Sequence, residues 1–268
     1  MPNKFLNKKF RVNKEFYDKN GYLILKNINP KKNINKLSAE LEKKVKNQSL
    51  KGKRGLSEPG VNKSLVHSLH RNLVVKNLCE DQNWFQFYCK TLFNTEKFIV
   101  WNAKSNLKRR WHGSVEYFHQ DFQYWKEYGF ISSDMMSCMI FLDDHSHLNG
   151  GMWIFPGSHK KSYNHEKFLN INSLQKNLIS MRELDNLAKK KKPLSLSLKA
   201  GSCIFFHCKL IHGSSHNISH KDRRIILYQL SRSKDYNHKK ILKTNNKNIK
   251  NRMFFEKKEI LKRLNKYK

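Results

Sequence analysis

The densest polar chemistry in this chain lies in EYFHQDFQYW, residues 116–125. His119 and Asp121 stand two apart, so on a strand both side chains point to the same side. An imidazole beside a carboxylate supplies two of the three ligands of the two-His, one-carboxylate facial triad. That triad suits Fe(II) because it leaves adjacent coordination positions open. The third ligand must then be a histidine from a distant strand. His212, in CKLIHGSSHN, follows the apolar run 203–206 and enters a Gly-Ser turn. His207, five residues earlier, is the fallback. His112, His145, His147, His159, His165, His216 and His220 lack a carboxylate at strand spacing with a matching partner downstream. Of these, His159 in PGSHK is read as fixing a turn. An HxD pair alone is a weak motif. Here the surrounding aromatics can keep a site dry, and the Gly150-Gly151 turn brings the chain back towards it.

A second feature strengthens the metal reading. Eleven residues after His212 comes Arg223, at the start of the apolar run RRIILYQL. A dicarboxylate co-substrate needs a buried cation for the carboxylate that does not reach the metal, and an arginine fork grips such a group in a bidentate way that lysine cannot. Ser214, two residues after His212, can donate a hydroxyl to the same carboxylate. Arg223 and Arg224 face opposite ways on a strand, so one of them is expected to be a charged strand edge.

These residues need a scaffold of short strands, and the sequence supplies one from about residue 97. FIVWNAKSNLK, MMSCMIFLDD, GGMWIFPGS, LSLKAGSCIFF and RRIILYQLSRS each run four to eight residues between turn signals, as in an antiparallel sandwich or barrel. Before them, KNGYLILKNI (19–28) reads as a turn and a strand. INPKKNINKLSAELEKKVKN reads as a helix with Ile34, Leu37, Leu41 and Val45 on one face and Pro30 before its first turn. A second helix is expected over 64–80, and the aromatics of WFQFYCKTLFN are expected in the core. The organisation predicted is a single domain over 1–268. It comprises a mostly helical support (1–95), a β core (97–234) with a partly helical insertion at 160–192 acting as a lid or rim, and a basic tail (238–268) with a helix at 252–267.

Composition bounds the function. At 268 residues the chain can bury one sizeable core. The five cysteines, Cys79, Cys89, Cys138, Cys203 and Cys208, have no CxxC spacing, which argues against a disulfide framework or a zinc ribbon. Cys138 and Cys203 sit in apolar runs as expected buried thiols. No stretch reaches the roughly 18 apolar residues of a membrane span. The basic opening lacks a signal-peptide core, so a cytoplasmic location is expected. The formal charge is +33, spread over many lysines, yet residues 112–150 hold six acids against the single Lys126. That segment, at −5, reads as a pocket wall, and the remaining +38 as outer surface. The charge can steer anions but does not require a nucleic-acid function. A monomer or homodimer is expected.

FHQDFQYW, NGGMWIFPGSHK, AGSCIFFHCKLIHGSSHN and RRIILYQLSRS, in this order, resemble the phytanoyl-CoA dioxygenase family of Fe(II)- and 2-oxoglutarate-dependent oxygenases. Within it, the chain is most similar to bacterial ectoine-hydroxylase-like members. The resemblance is strong from about 97 to 234. It implies a mainly β fold, a double-stranded β-helix (jelly-roll, cupin-like) core with helical support. It implies Fe(II) ligation by His119, Asp121 and His212, and 2-oxoglutarate binding by Arg223 with Ser214 beside it, Asn106 and Lys108 lining the same cavity. It implies substrate contacts at Asn102, where the ectoine enzymes carry glutamine, at Trp125 and at Glu116. Glu116 stands where they carry an aromatic residue, and residues around Met135 and Met136 are bulkier. Asp121 separates the chain from the related halogenases, which lack this carboxylate. The expected reaction is O2-dependent hydroxylation coupled to decarboxylation of 2-oxoglutarate to succinate. Phe118, Phe122, Tyr124 and Trp125 are candidates to shield the metal, Phe118 and Phe122 more as core.

The acidic central segment favours a small zwitterionic or cationic metabolite, amino-acid or betaine-like, with Trp125 available for a cation–π contact. The alternatives are an acyl-CoA or other anionic substrate using the lysines, and a non-catalytic basic jelly-roll protein that binds nucleic acid or another polyanion.

Overall fold

The computed structural model describes residues 13–50, 65–66, 68–126, 130–167 and 177–231. The predicted tail at 238–268, with its helix, lies outside the described residues, as does part of the insertion. The strands run β1 (Tyr22–Leu25), β2 (Leu65–Val66), β3 (Ile99–Asn106), β4 (Glu116–His119), β5 (Met135–Phe141) and β6 (Met152–Ile154). They continue with β7 (His165–Lys167), β8 (Asn177–Ile179), β9 (Leu194–Ser195), β10 (Cys203–His207), β11 (His212–Ser214) and β12 (Ile225–Ser231). They form a six-stranded sheet β1-β10-β5-β12-β3-β2, a four-stranded sheet β4-β11-β6-β9, and the hairpin β7-β8. All pairings are antiparallel.

The large sheet is covered on both faces, which explains its continuous apolar runs. Every residue of β5 and β12 is buried, because alternate side chains enter two different cores. Met136, Cys138, Ile140, Ile226, Tyr228 and Leu230 pack with the helices. Met139, Phe141, Ile225 and Leu227 pack instead with Met152 and Ile154 of the small sheet. Helix Lys31–Leu50 contributes Ile34, Leu37 and Leu41, all buried, and helix Asn83–Phe93 contributes Phe85, Tyr88, Cys89, Leu92 and Phe93. Phe85 lies edge-on to Tyr228 at 5.0 Å, binding the helical layer to the sheet. Burying one such ring is worth about 1.5–3 kcal/mol. All five cysteines are buried and unpaired with one another.

The expected helix over 64–80 does not form as one element. Leu65–Val66 pairs with β3 instead, and short turns of 3-10, α and π type follow. The backbone explains the break. Ser68 is left-handed at φ 57, and Asn72 is extended and caps the Val75 amide through its side chain. Where the insertion was expected, the described residues hold the β7-β8 hairpin and helix Met181–Ala188, capped by Ser180 on Glu183. Gln120 binds the loop before this hairpin. Its side chain donates to the carbonyls of Lys161 and Lys209 and accepts from the Tyr163 amide. Among the described residues, no helix is long and apolar enough to cross a membrane.

Candidate metal and co-substrate site

The site is built where the small sheet faces the large one. His119 ends β4 and His212 begins β11, and the two are direct cross-strand partners. Their ring centroids lie 4.3 Å apart. Asp121 is not on the strand with His119, as the two-residue spacing suggested. It opens the short helix Asp121–Trp125, and extended Gln120 (φ −113, ψ 124) preserves the alternation that turns both side chains the same way. Oδ1 of Asp121 lies 3.7 Å from Nε2 of His119 and 3.9 Å from Nε2 of His212. Ligand atoms from all three residues fit within 4.8 Å of one another, the single such cluster among the described residues.

The donor set fits a divalent metal. Nδ1 of His119 meets the Tyr117 carbonyl at 2.8 Å, and Nδ1 of His212 meets that of Leu210 at 2.9 Å. A carbonyl only accepts, so Nδ1 carries the proton in each ring and Nε2 presents its lone pair to the shared space. Burial pushes the Asp121 carboxyl up, but the neighbouring imidazoles outweigh it and hold it at about 2. Burial and the His119 ring hold the His212 pKa below its usual value. Burial opposes charge on His119 too, yet the Asp121 carboxylate prevails and raises its pKa. Ser137, on the central strand β5, donates to Oδ2 of Asp121 at 3.2 Å. Tyr124 stands edge-on to His119 and Phe206 edge-on to His212.

Beside the triad lies a cationic end. Arg223 is 2% exposed and is the largest fully buried side chain of the described residues. Its Nη2 donates to the Asn106 carbonyl at 3.1 Å. Arg223 and Lys108 exchange both backbone hydrogen bonds, a geometry that directs their side chains to one face. Arg224 is the surface partner, ion-paired with Asp143 at 2.6 Å, so the alternation expected of the two arginines holds. Lys108 Nζ donates to the carbonyls of Ser114 and Ser215 and to the hydroxyl of Ser214. Glycines make room for its stem. A Cβ at Gly150 (φ +83) would fall 2.4 Å from Lys108 Cδ, and one at Gly113 would fall 2.5 Å from Lys108 Cβ.

Glu116 belongs to this end. Three residues from His119, it should face away from the triad, but the register of β4 on β11 shifts by one between His212 and Ser214. That bulge sets Glu116 opposite Ser214, and Gly213 permits it, since a Cβ there would strike the Glu116 carbonyl at 2.7 Å. The Glu116 carboxylate accepts from Asn106 Nδ2 at 2.9 Å and from Ser214 Oγ at 3.3 Å. Burial pushes its pKa up, but Lys108, Arg223, His119 and Lys104 together bring it to about 2.

The other predicted residues are distributed differently. Asn102 donates to its cross-strand partner Gln229 at 2.7 Å, just before a second bulge between β3 and β12. Trp125, 2% exposed, packs edge-on to Trp101 among Phe130, Met135, Ile99 and Cys208. Phe118 meets Phe155 in a separate apolar cluster. His207 stands beside His159, 5.3 Å between ring centres, outside the triad. His159 itself bonds the Asp18 carbonyl and lies against Gly21, fixing that turn. The acidic segment does not form one pocket wall: Asp143 pairs with Arg224, Asp144 with exposed Lys199, and Asp134 lines a separate cleft with Lys14 and His159. Only Glu116 and Asp121 of its described acids reach the site. Ser137 and Gln120 have no sequence signal beyond their neighbours.

The family model for phytanoyl-CoA dioxygenase (PhyH) matches residues 17–225. The chain is 28% identical over 220 residues to ectoine dioxygenase of Bordetella bronchiseptica, covering 76% of this chain and 69% of that protein. It is 26% identical over 235 residues to the peroxisomal phytanoyl-CoA dioxygenase of Homo sapiens, covering 80% and 65%. Its fold is similar to that of EctD from S. alaskensis crystallised with bound Fe. The TM-score is 0.70 and the identity 20%, over 83% of this chain and 76% of that one.

Proposed function

The chain belongs to the phytanoyl-CoA dioxygenase family, and from that premise we propose that it is an Fe(II)- and 2-oxoglutarate-dependent hydroxylase of a small metabolite, built on a double-stranded β-helix (jelly-roll) core. The observation that carries this reading is the convergence of His119, Asp121 and His212 beside the buried Arg223. Fe(II) there would supply O2 activation coupled to decarboxylation of 2-oxoglutarate to succinate.

The residues of this chain have separable tasks. The Nε2 atoms of His119 and His212 and the carboxylate of Asp121 hold the metal, with Ser137 fixing the carboxylate. Arg223 and Ser214 receive the distal carboxylate of 2-oxoglutarate. Lys108 already donates to the Ser214 oxygen, so the hydroxyl proton of Ser214 is left to point at an anion. Asn106 adds an amide donor on the same side. Tyr124 and Phe206 flank the two imidazoles and limit water around them.

For the substrate we propose a small zwitterionic or cationic molecule, of amino-acid or betaine type, working from a cytoplasmic monomer or homodimer. The similarity to ectoine dioxygenase supports this class. The acidic segment does not, because Asp143 and Asp144 are paired elsewhere, Asp134 lines a separate cleft, and Asp121 and Glu116 belong to the metal cluster and the cationic end. Asn102, oriented by Gln229, is assigned to the substrate side, with Trp125 supporting it from the Trp101 cluster. An acyl-CoA or other anionic substrate is the second reading, favoured by the lysine-rich surface and the similarity to the human enzyme. A metal-independent polyanion binder is the third.

Succinate release from 2-oxoglutarate, scored anaerobically and in air over a panel of amino acids, betaines and CoA thioesters, tests the proposal. Release with the zwitterions and none with Asp121→Ala is expected. Release only with CoA thioesters would replace the substrate class, and none with any compound would leave a binding protein.

A further inference from the structure

One half-buried anion of the site has no part in holding metal. Glu116 sits at the cationic end, and both of its oxygens are engaged by the donors assigned to the co-substrate, Asn106 Nδ2 at 2.9 Å and Ser214 Oγ at 3.3 Å. Ser214 cannot serve two carboxylates at full strength, whereas the Asn106 amide has a second N–H beside the one given to Glu116. Ser214 has a single hydroxyl proton, and its oxygen already accepts from Lys108. The three protons of Lys108 are met by Ser114, Ser214 and Ser215, so the ammonium cannot turn to a second anion without breaking a bond. The rigidity is built in, because Gly113 and Gly150 close on the lysine stem and the bulge at Gly213 holds Glu116 opposite Ser214.

We propose that Glu116 is an internal competitor of the distal carboxylate of 2-oxoglutarate, so that the co-substrate must displace its side chain from Ser214 to bind, with the Asn106 amide shared between them. The inference rests on the reading that this end holds the distal carboxylate. Glu116 is thus a residue that determines co-substrate affinity: it keeps this chain's affinity below what Arg223, Lys108, Ser214 and Asn106 would give unopposed. The competition is local. A 2-oxo acid without a second carboxylate, such as 2-oxobutyrate, does not contend for these donors.

Calorimetric titration of the Fe(II)-loaded protein under anaerobic conditions tests this without turnover. Parent, Glu116→Gln and Glu116→Ala are each titrated with 2-oxoglutarate and with 2-oxobutyrate, after circular dichroism has confirmed their fold. Removing the anion frees two donors that were spent on a charged acceptor, so 2-oxoglutarate should bind roughly tenfold more tightly to either variant. The affinity for 2-oxobutyrate should stay within about twofold, as should that for Fe(II). If the parent binds 2-oxoglutarate and both folded variants bind it equally or more weakly, Glu116 is not a competitor and the inference fails alone. Equal tightening of both 2-oxo acids would also overturn it, as that reports general electrostatics. If no form binds 2-oxoglutarate, the co-substrate reading itself falls.

Discussion

Replacing Ser137 by alanine should weaken metal binding while leaving the fold intact. Ser137 lies in the middle of β5, is fully buried, and faces Phe206 on one side and Gln229 on the other. Its hydroxyl donates to Oδ2 of Asp121 while Oδ1 points towards the two imidazoles. The alanine variant removes one hydrogen bond to a charged acceptor, an interaction worth about 1.5–3 kcal/mol. At 3.2 Å the bond is longer than the usual O–H···O range, which places it near the lower limit. About 1.5 kcal/mol corresponds to roughly a tenfold loss of affinity, consistent with the 10–100-fold range typical of groups that orient a metal ligand. The substitution leaves the strand register untouched and opens space for less than a methyl group. Fe(II) affinity should be measured by anaerobic competition against a chromophoric chelator, and melting by circular dichroism on chelator-treated protein. The reasoning is refuted if the affinity stays within about twofold of the parent, or if it falls only in step with the metal-free melting temperature.

Two further outcomes follow from the cationic end. Gly150→Ala forces a side chain into φ +83 and against Lys108 Cδ at 2.4 Å, a cost of about 1–3 kcal/mol. At roughly 2–4 °C per kcal/mol, the melting temperature should drop by on the order of 5 °C; an unchanged midpoint would show that the lysine stem moves freely. Glu116 has a folded pKa of about 2 against the usual 4.5, so its contribution to stability is fully present above pH 4.5 and is lost as pH falls towards 2. That contribution is at most about 3 kcal/mol. Because Asp121 titrates in the same window, Glu116→Gln should flatten the acid limb of the melting profile of metal-free protein without removing it. An identical limb would contradict the charge network described for Glu116.

The parts of the fold that were legible in the sequence are those where alternation is regular. The covered strands β5, β10 and β12 announce themselves as apolar runs, and the split between Arg223 and Arg224 follows from two-residue periodicity. The union of His119 with His212 was legible through residue type and order, and the cross-strand pairing explains how they meet. What could not be read depends on departures from regularity. The bulge opposite Gly213 turns Glu116 inward, against its odd spacing from His119. The bulge in β3, one residue past the Asn102–Gln229 pair, resets the register to Leu230 opposite Val100. The helix expected over 64–80 is broken by backbone angles at Ser68 and Asn72 that apolar spacing does not encode. Charge along the chain was a poor guide to charge in space, because partners such as Arg224 and Lys199 come from distant segments. Ser137 gave no signal, since one hydroxyl in an apolar strand acquires its role only when Asp121 is folded against it.

The central claim is that a single ion is held by two rings and one carboxylate from β4, the helix after it, and β11. Anaerobic Fe(II) titration of the parent, followed by Asp121→Ala and His212→Ala, measures this directly. The account predicts one Fe(II) per parent chain, and at least a hundredfold weaker binding in each folded variant, since each loses one of about three protein ligands. Parent-like iron binding by folded His212→Ala would contradict it.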